Sequence, residues 1–147
     1  MRTIKFRGKN LHNGKWVCGY LSDVDSTPIG KVGIINSKPF SGCEESTMVI
    51  AESIGQFTGL HDKNGKEIYE CDVLKNNLSD NPFGVVTWHN DGYFFIDCGF
   101  GKFPINANGY NPLGKMLVLK IDNVKDVFFE VIGNIHDNPE LMEAAAK

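Results

Sequence analysis

The sequence predicts a mainly β protein built as two small packed β sub-lobes with a short C-terminal helix. Three observations predict it. Short runs rich in β-branched and aromatic residues recur along the chain, and such residues suit a pleated, half-buried surface. Turn residues punctuate these runs: there are 16 glycines and 6 prolines, and Asn13-Gly14, Asn64-Gly65 and Asp91-Gly92 each stand between apolar stretches. Such pairs tolerate the positive φ that type I′ hairpin turns demand. Helical periodicity is scarce, which favours an antiparallel sandwich or barrel over βαβ units.

Taken in order, the first strand falls in Thr3–Arg7, where Ile4 and Phe6 share a face. Trp16–Leu21, Val32–Ile35, Thr47–Ile50 and Gln56–Thr58 follow. The second half offers Asp72–Lys75, Gly84–Trp88, Tyr93–Asp97, Met116–Ile121 and Phe128–Ile132. The C-terminal stretch Asn138-Pro139-Glu140-Leu141-Met142-Glu143-Ala144-Ala145-Ala146 reads as helix. Asn138 suits the N-cap, Pro139 the first helical position, and Glu140 the positive end of the dipole. A second short helix is expected near Lys120–Asp126. Ser37–Ser46 and Asn76–Pro82 read as loops. The second of these separates a sub-lobe of residues 1–75 from one of residues 84–147. Gly99–Gly114 reads as a long loop carrying Phe100, Phe103 and Tyr110, and long aromatic loops commonly serve binding or assembly.

A chain of 147 residues can hide about two thirds of its unfolded surface, so a core forms without disulfide or metal. With 41% hydrophobic and 22% charged residues the composition is globular. The net charge of −3 argues against a general electrostatic grip on nucleic acid or an acidic membrane, while leaving room for a local basic patch. No apolar run reaches membrane-span length and the N-terminus lacks an apolar h-region, so a cytoplasmic protein is expected, with no membrane partner. Cys18, Cys43, Cys71 and Cys98 form no CxxC pair, so free thiols are expected and no zinc pattern is present. Cys18 and Cys98 lie in apolar strands and read as core; Trp16 and Trp88, beside hairpin turns, are expected to be largely buried.

Catalytic signatures are missing. The histidines His12, His61, His89 and His136 show no HxxxH or HExxH spacing, and no GxGxxG, P-loop or GxSxG motif occurs. Glu70 and Asp72 flank Cys71 and disfavour its thiolate. No catalytic residue, metal site or cofactor is therefore expected. Aromatic and basic residues interleave at Lys5-Phe6-Arg7 and at Gly101-Lys102-Phe103, a pattern that can stack bases. Ile54-Gly55-Gln56-Phe57 before His61-Asp62 is echoed by Ile132-Gly133-Asn134-Ile135 before His136-Asp137. Nothing else aligns with this short match, so the sequence favours chance over two similar β units.

Several segments together carry a resemblance. They are Ile4-Lys5-Phe6-Arg7-Gly8-Lys9; Asn13-Gly14-Lys15-Trp16-Val17-Cys18-Gly19; the block from Ile54 to Val73 containing Thr58-Gly59-Leu60-His61-Asp62-Lys63-Asn64-Gly65-Lys66-Glu67-Ile68-Tyr69-Glu70-Cys71-Asp72; and Phe129-Glu130-Val131-Ile132-Gly133-Asn134-Ile135-His136-Asp137-Asn138-Pro139-Glu140-Leu141. Their order and spacing resemble the YopX family of phage and prophage proteins over almost the whole chain. Cys71 departs from the family pattern, which usually has Gly there; Gly suits a tight turn, so either mild strain at Cys71 or a different turn is expected. The resemblance implies a β-rich, phage-related cytoplasmic protein and brings no catalytic residues. The residues from Asp72 through Gly84–Trp88 to Ile132–Ile135 further suggest a small SH3-like barrel for the second half.

The functional expectation is a non-enzymatic phage accessory protein that binds another macromolecule, as a homo-oligomer or with a host or phage protein. Its candidate binding residues are Phe100, Phe103, Tyr110, Lys5 and Arg7. The alternatives are a nucleic-acid-binding module with a basic face of Lys5, Arg7, Lys9 and Lys15, and a protein that sequesters a small ligand such as a nucleotide.

Overall fold

The structure, a computed structural model, describes residues 3–27, 30–37, 45–76, 84–90, 93–98, 102–105 and 129–145. It is mainly β, with two antiparallel sheets and one short helix among these residues. Compactness divides the chain into Met1–Phe57 and Thr58–Lys147. Sheet membership changes later, between Tyr69 and Asp72. Of the Asn76–Pro82 stretch, where composition placed the boundary, Asn76 ends a strand and residues 77–82 lie outside the described residues, as do the expected strand at Met116–Ile121 and helix at Lys120–Asp126.

In the first unit β1 (Phe6–Lys9) pairs with β2 (Trp16–Thr27), setting Arg7 opposite Cys18 and Lys9 opposite Trp16. The connecting turn is not type I′. Asn10 organises it: its Oδ1 accepts the N–H groups of His12 and Asn13, and its carbonyl accepts the N–H of Gly14. Only Gly14 takes positive φ there, at 68°, which fits a longer loop built around a type I turn. β2 then pairs with β3 (Gly30–Asn36), with a bulge between Leu21 and Asp23, and β3 pairs with β4 (Ser46–Ile50). A 3-10 turn, Ala51–Ser53, follows. The Ser53 hydroxyl donates to the Ile50 carbonyl and accepts the Lys9 N–H, tying this turn to β1. β5 (Gly55–His61) returns beside β1, with Gly55 opposite Arg7 and Gln56 opposite Phe6. With β6 (Glu67–Tyr69) the first sheet has the order β4-β3-β2-β1-β5-β6. A single bridge, Asn10 to Val49, also brings the end of β1 to β4.

Glycines let this unit close around Ile35 and Val49, both almost fully buried. A Cβ on Gly19 would lie 2.1 Å from the Asn36 carbonyl oxygen, and one on Gly33 would lie 2.3 Å from the Ile54 Cδ1. Neither position admits a side chain without a shift of the neighbouring strand or residue.

The second unit fills its interior with large side chains. β7 (Asp72–Asn76), β8 (Gly84–His89), β9 (Tyr93–Asp97), β10 (Lys102–Ile105) and β11 (Phe129–Asn134) form a sheet of order β10-β9-β8-β7-β11. Ile68, Leu74, Val86, Phe94, Ile96, Cys98 and Val131 make one core cluster, with Leu60 and Phe129 against it. The helix α1 (Glu140–Ala145) begins just after Asn138-Pro139, as the capping pattern predicts.

Several expectations need correction. The second sheet is open among the described residues, with no ladder joining β10 to β11, so the SH3-like barrel is not seen. The long Gly99–Gly114 loop contains β10, which pairs with β9 along its length. A proline at position 104 hid it, yet an edge strand tolerates a missing N–H. Cys18 is exposed, not core, because it lies on the Arg7 side of β2. Trp88 is 38% exposed and packs edge-on against Phe94 with ring centroids 4.7 Å apart, while Trp16 is half-buried.

The echo between the halves is structural. β4-β3-β2-β1-β5 and β10-β9-β8-β7-β11 are the same order: a four-strand meander whose fifth strand returns beside the first. The Ile54-Gly55-Gln56 and Ile132-Gly133-Asn134 segments begin or lie within the two returning strands. Gly55 faces Arg7 and Gln56 faces Phe6; Gly133 faces Val73 and Asn134 faces Asp72. The repeated Ile-Gly marks one topological position, not chance.

Candidate binding face of the first unit

Alternation along a strand puts residues two apart on one face. Arg7 and Lys9 of β1 therefore share a face with Trp16, Cys18 and Tyr20 of β2, and Lys5 precedes them at the same spacing. The Arg7 guanidinium carbon lies 4.7 Å from the Trp16 ring centroid, and the Lys9 Nζ lies 5.9 Å from the same ring. The Lys5 Nζ lies 5.9 Å from the Phe57 ring centroid, and the Lys5 carbonyl accepts the Phe57 N–H. These separations fall within cation–π range. Arg7 is only 9% exposed. The structure thus brings Lys5 and Arg7 together, but against rings of their own chain, which are not open stacking platforms for bases.

The same face continues across β3 and β4. The register sets Ile34 beside Met48 and beside Asp23, and Val32 beside Ile50 and beside Asp25. Tyr20 is 39% exposed, Met48 44% and Ile50 37%. Asp23 and Asp25 are exposed next to them. One surface therefore runs from cations on β1, past Tyr20, to an acidic pair on β2 flanked by apolar side chains. Met48 and Ile50 were missed in the sequence: Met48-Val49-Ile50 is a continuous apolar run, so the pattern does not say which face meets the core.

The aromatic loop contributes less to a site. Phe103 stands on β10 opposite Ile96. Phe100 and Tyr110 lie outside the described residues.

A second polar cluster belongs to the second unit and is a clamp. Buried Asp62 accepts the N–H groups of Asn64 and Lys66 at Oδ1 and that of Val131 at Oδ2. Burial raises its pKa, but the three N–H bonds and nearby Lys66 outweigh it, so the carboxyl titrates below its ordinary value. Lys63 adds an N–H bond to the Phe129 carbonyl and a 2.6 Å ion pair to Glu130. Asp72, also buried, accepts the Tyr69 N–H. Between them stands Cys71 at φ 69°, the positive-φ position that the glycine of the family pattern suits. Cys98 is buried, and desolvation first, with Asp97 second, pushes its thiol up to about 12; it is no nucleophile at neutral pH.

Among the described residues no group of three or more His, Cys, Asp or Glu could hold a metal ion, and no helix is long and apolar enough to cross a membrane. His12 and His61 are exposed. The features define a β protein of two like-ordered units with a mixed charged and apolar outer face. The chain belongs to the YopX family: the model of that family, described as YopX protein, matches residues 5–143. Among solved structures it is similar to protein EF1440 from Enterococcus faecalis, at 23% identity and a TM-score of 0.44, over 97% of this chain and 99% of that one. No curated protein matches it.

Proposed function

We propose that this chain is a non-enzymatic accessory protein of phage or prophage that works by binding another macromolecule through the outer face of its first sheet. The observation that carries this reading is the exposure of Tyr20, Met48 and Ile50 on one sheet face that also bears charges of both signs. Exposed apolar side chains gathered on one face among polar ones mark interaction sites. The phage association comes from the resemblance of the sequence segments noted above. A nucleic-acid partner draws support from Lys5, Arg7 and Lys9, but Asp23 and Asp25 on the same surface repel phosphate. A protein surface accommodates both signs.

Hydroxyl-radical footprinting tests the reading, with the protein titrated against itself, a mixed-sequence single-stranded oligonucleotide and a host-cell extract. Protection of Tyr20 and Met48 in at least one titration is expected. Equal labelling of both residues in all three would remove the basis for the proposal.

A further inference from the structure

We infer that the partner of this face is a second copy of the chain, paired about a two-fold axis through the neighbourhood of Tyr20; the inference rests on the binding role proposed above. Charges on this one surface complement each other. Along β2, Trp16 and Cys18 precede Tyr20, and beside them on β1 stand Lys9 and Arg7. Asp23 and Asp25 follow Tyr20 on the same strand, past the bulge between Leu21 and Asp23 that returns them to the same face. Cations and carboxylates therefore lie to opposite sides of Tyr20 along β2. A two-fold interface is isologous: each residue meets the image of another, so a patch must complement itself. Turning this face over about a line through Tyr20 lays the β1 cations of one copy towards the β2 carboxylates of the other. It places Tyr20 against its own image. The exposed Tyr20 has the character of an interface anchor, a large rigid apolar body with a polar tip. The charges at the edge fix the register, as rim charges do.

Charge swapping provides the test. The wild type and two variants, Asp23→Lys with Asp25→Lys, and Lys9→Glu, are compared by light scattering at about 100 µM, above the micromolar dissociation constants of weak interfaces. Circular dichroism first establishes that each variant is folded. The wild type is expected to dimerise, and each variant to associate about tenfold more weakly or worse, since its dimer sets like charges together. An equal mixture of the two variants is expected to regain the dimer, because every contact is then between opposite charges. If either variant fails to fold, Tyr20→Ser takes its place and is expected to be a folded monomer. A monomeric wild type, or a mixture no more associated than its components, overturns the inference. Footprint protection by the oligonucleotide or the extract, without a wild-type dimer, would overturn the pairing alone and leave the binding role standing.

Discussion

In the first unit the strand that returns beside β1 sets Gly55 against Arg7; in the second, the returning strand sets Gly133 against Val73. The two slots are topologically the same, and they are filled in opposite ways. Val73 is fully buried, and the C-terminal segment packs over its glycine neighbour: a Cβ on Gly133 would lie 2.5 Å from the Asn138 Oδ1 and 2.9 Å from the Leu141 Cδ1. The matching face of the first unit carries Arg7 and Lys9 against Trp16, and then exposed Tyr20, Met48 and Ile50. One strand order thus supports a covered face in one unit and, in the other, the exposed face proposed to bind. Large apolar side chains fill the core cluster of the second unit, and both units also close strands on glycine: a Cβ on Gly84 would lie 2.5 Å from the Asp97 carbonyl oxygen, as one on Gly19 would meet that of Asn36. The comparison shows that strand order follows from where the fifth strand returns, and surface chemistry from what fills the slot beside it.

The largest effect expected is in the second core. Leu74→Ala should cost about 2–5 kcal/mol, read as a loss of midpoint in urea. Gly19→Ala should cost about 1–3 kcal/mol through overpacking rather than a cavity. A neutral Gly19→Ala would show that the first interior is not closed by glycine.

Asp62 sharpens the comparison through pH, since it clamps β11 to its turn. Its carboxyl titrates below the ordinary 3.8 in the folded state. The folded form therefore binds fewer protons than the unfolded form, so this contribution is present above 3.8 and is lost as pH falls through the lower folded value. Asp62→Ala should cost about 2 kcal/mol at neutral pH by removing a charged acceptor from three N–H groups. It should also flatten the loss of stability on acidification. Thermal melts between neutral and strongly acidic pH check both; an unchanged acid limb would relegate Asp62 to an ordinary turn residue.

A smaller gain is expected at the corner between β6 and β7. Cys71 holds φ at 69°, a conformation that costs a residue with a Cβ about 1–2 kcal/mol. Cys71→Gly relieves it, partly offset by the freer unfolded chain, so a net gain of about 0.5–1 kcal/mol is expected in a thermal melt. The smallest effect belongs to the cation–π contacts. Lys9→Met should cost about 0.5 kcal/mol or less, as a half-exposed cation over an aromatic ring does.

Much of the fold was legible because local chemistry dictates it. β-branched and aromatic runs located most strands, and Asn138-Pro139 located the start of α1. The departure of Cys71 from glycine pointed to its positive φ. Other features depend on partners distant in sequence. A strand containing Pro104 reads as loop until β9 is seen beside it. The equivalence of the two Ile-Gly segments rests on pairing with Arg7 and Val73, which two shared residues cannot reveal. Lys5 and Arg7 were found from their spacing, but not their stacking on Phe57 and Trp16. The exposure of Tyr20, Met48 and Ile50 follows from which sheet face the glycines turn inward, and the register decides that.

One strand order is used twice, with Gly55 and Gly133 in the same position. Cross-strand nuclear Overhauser contacts in the isotope-labelled full chain test it most directly. The account predicts backbone contacts between Arg7 and Gly55 and, in the same spectrum, between Val73 and Gly133. Contacts across one pair without the other would contradict it.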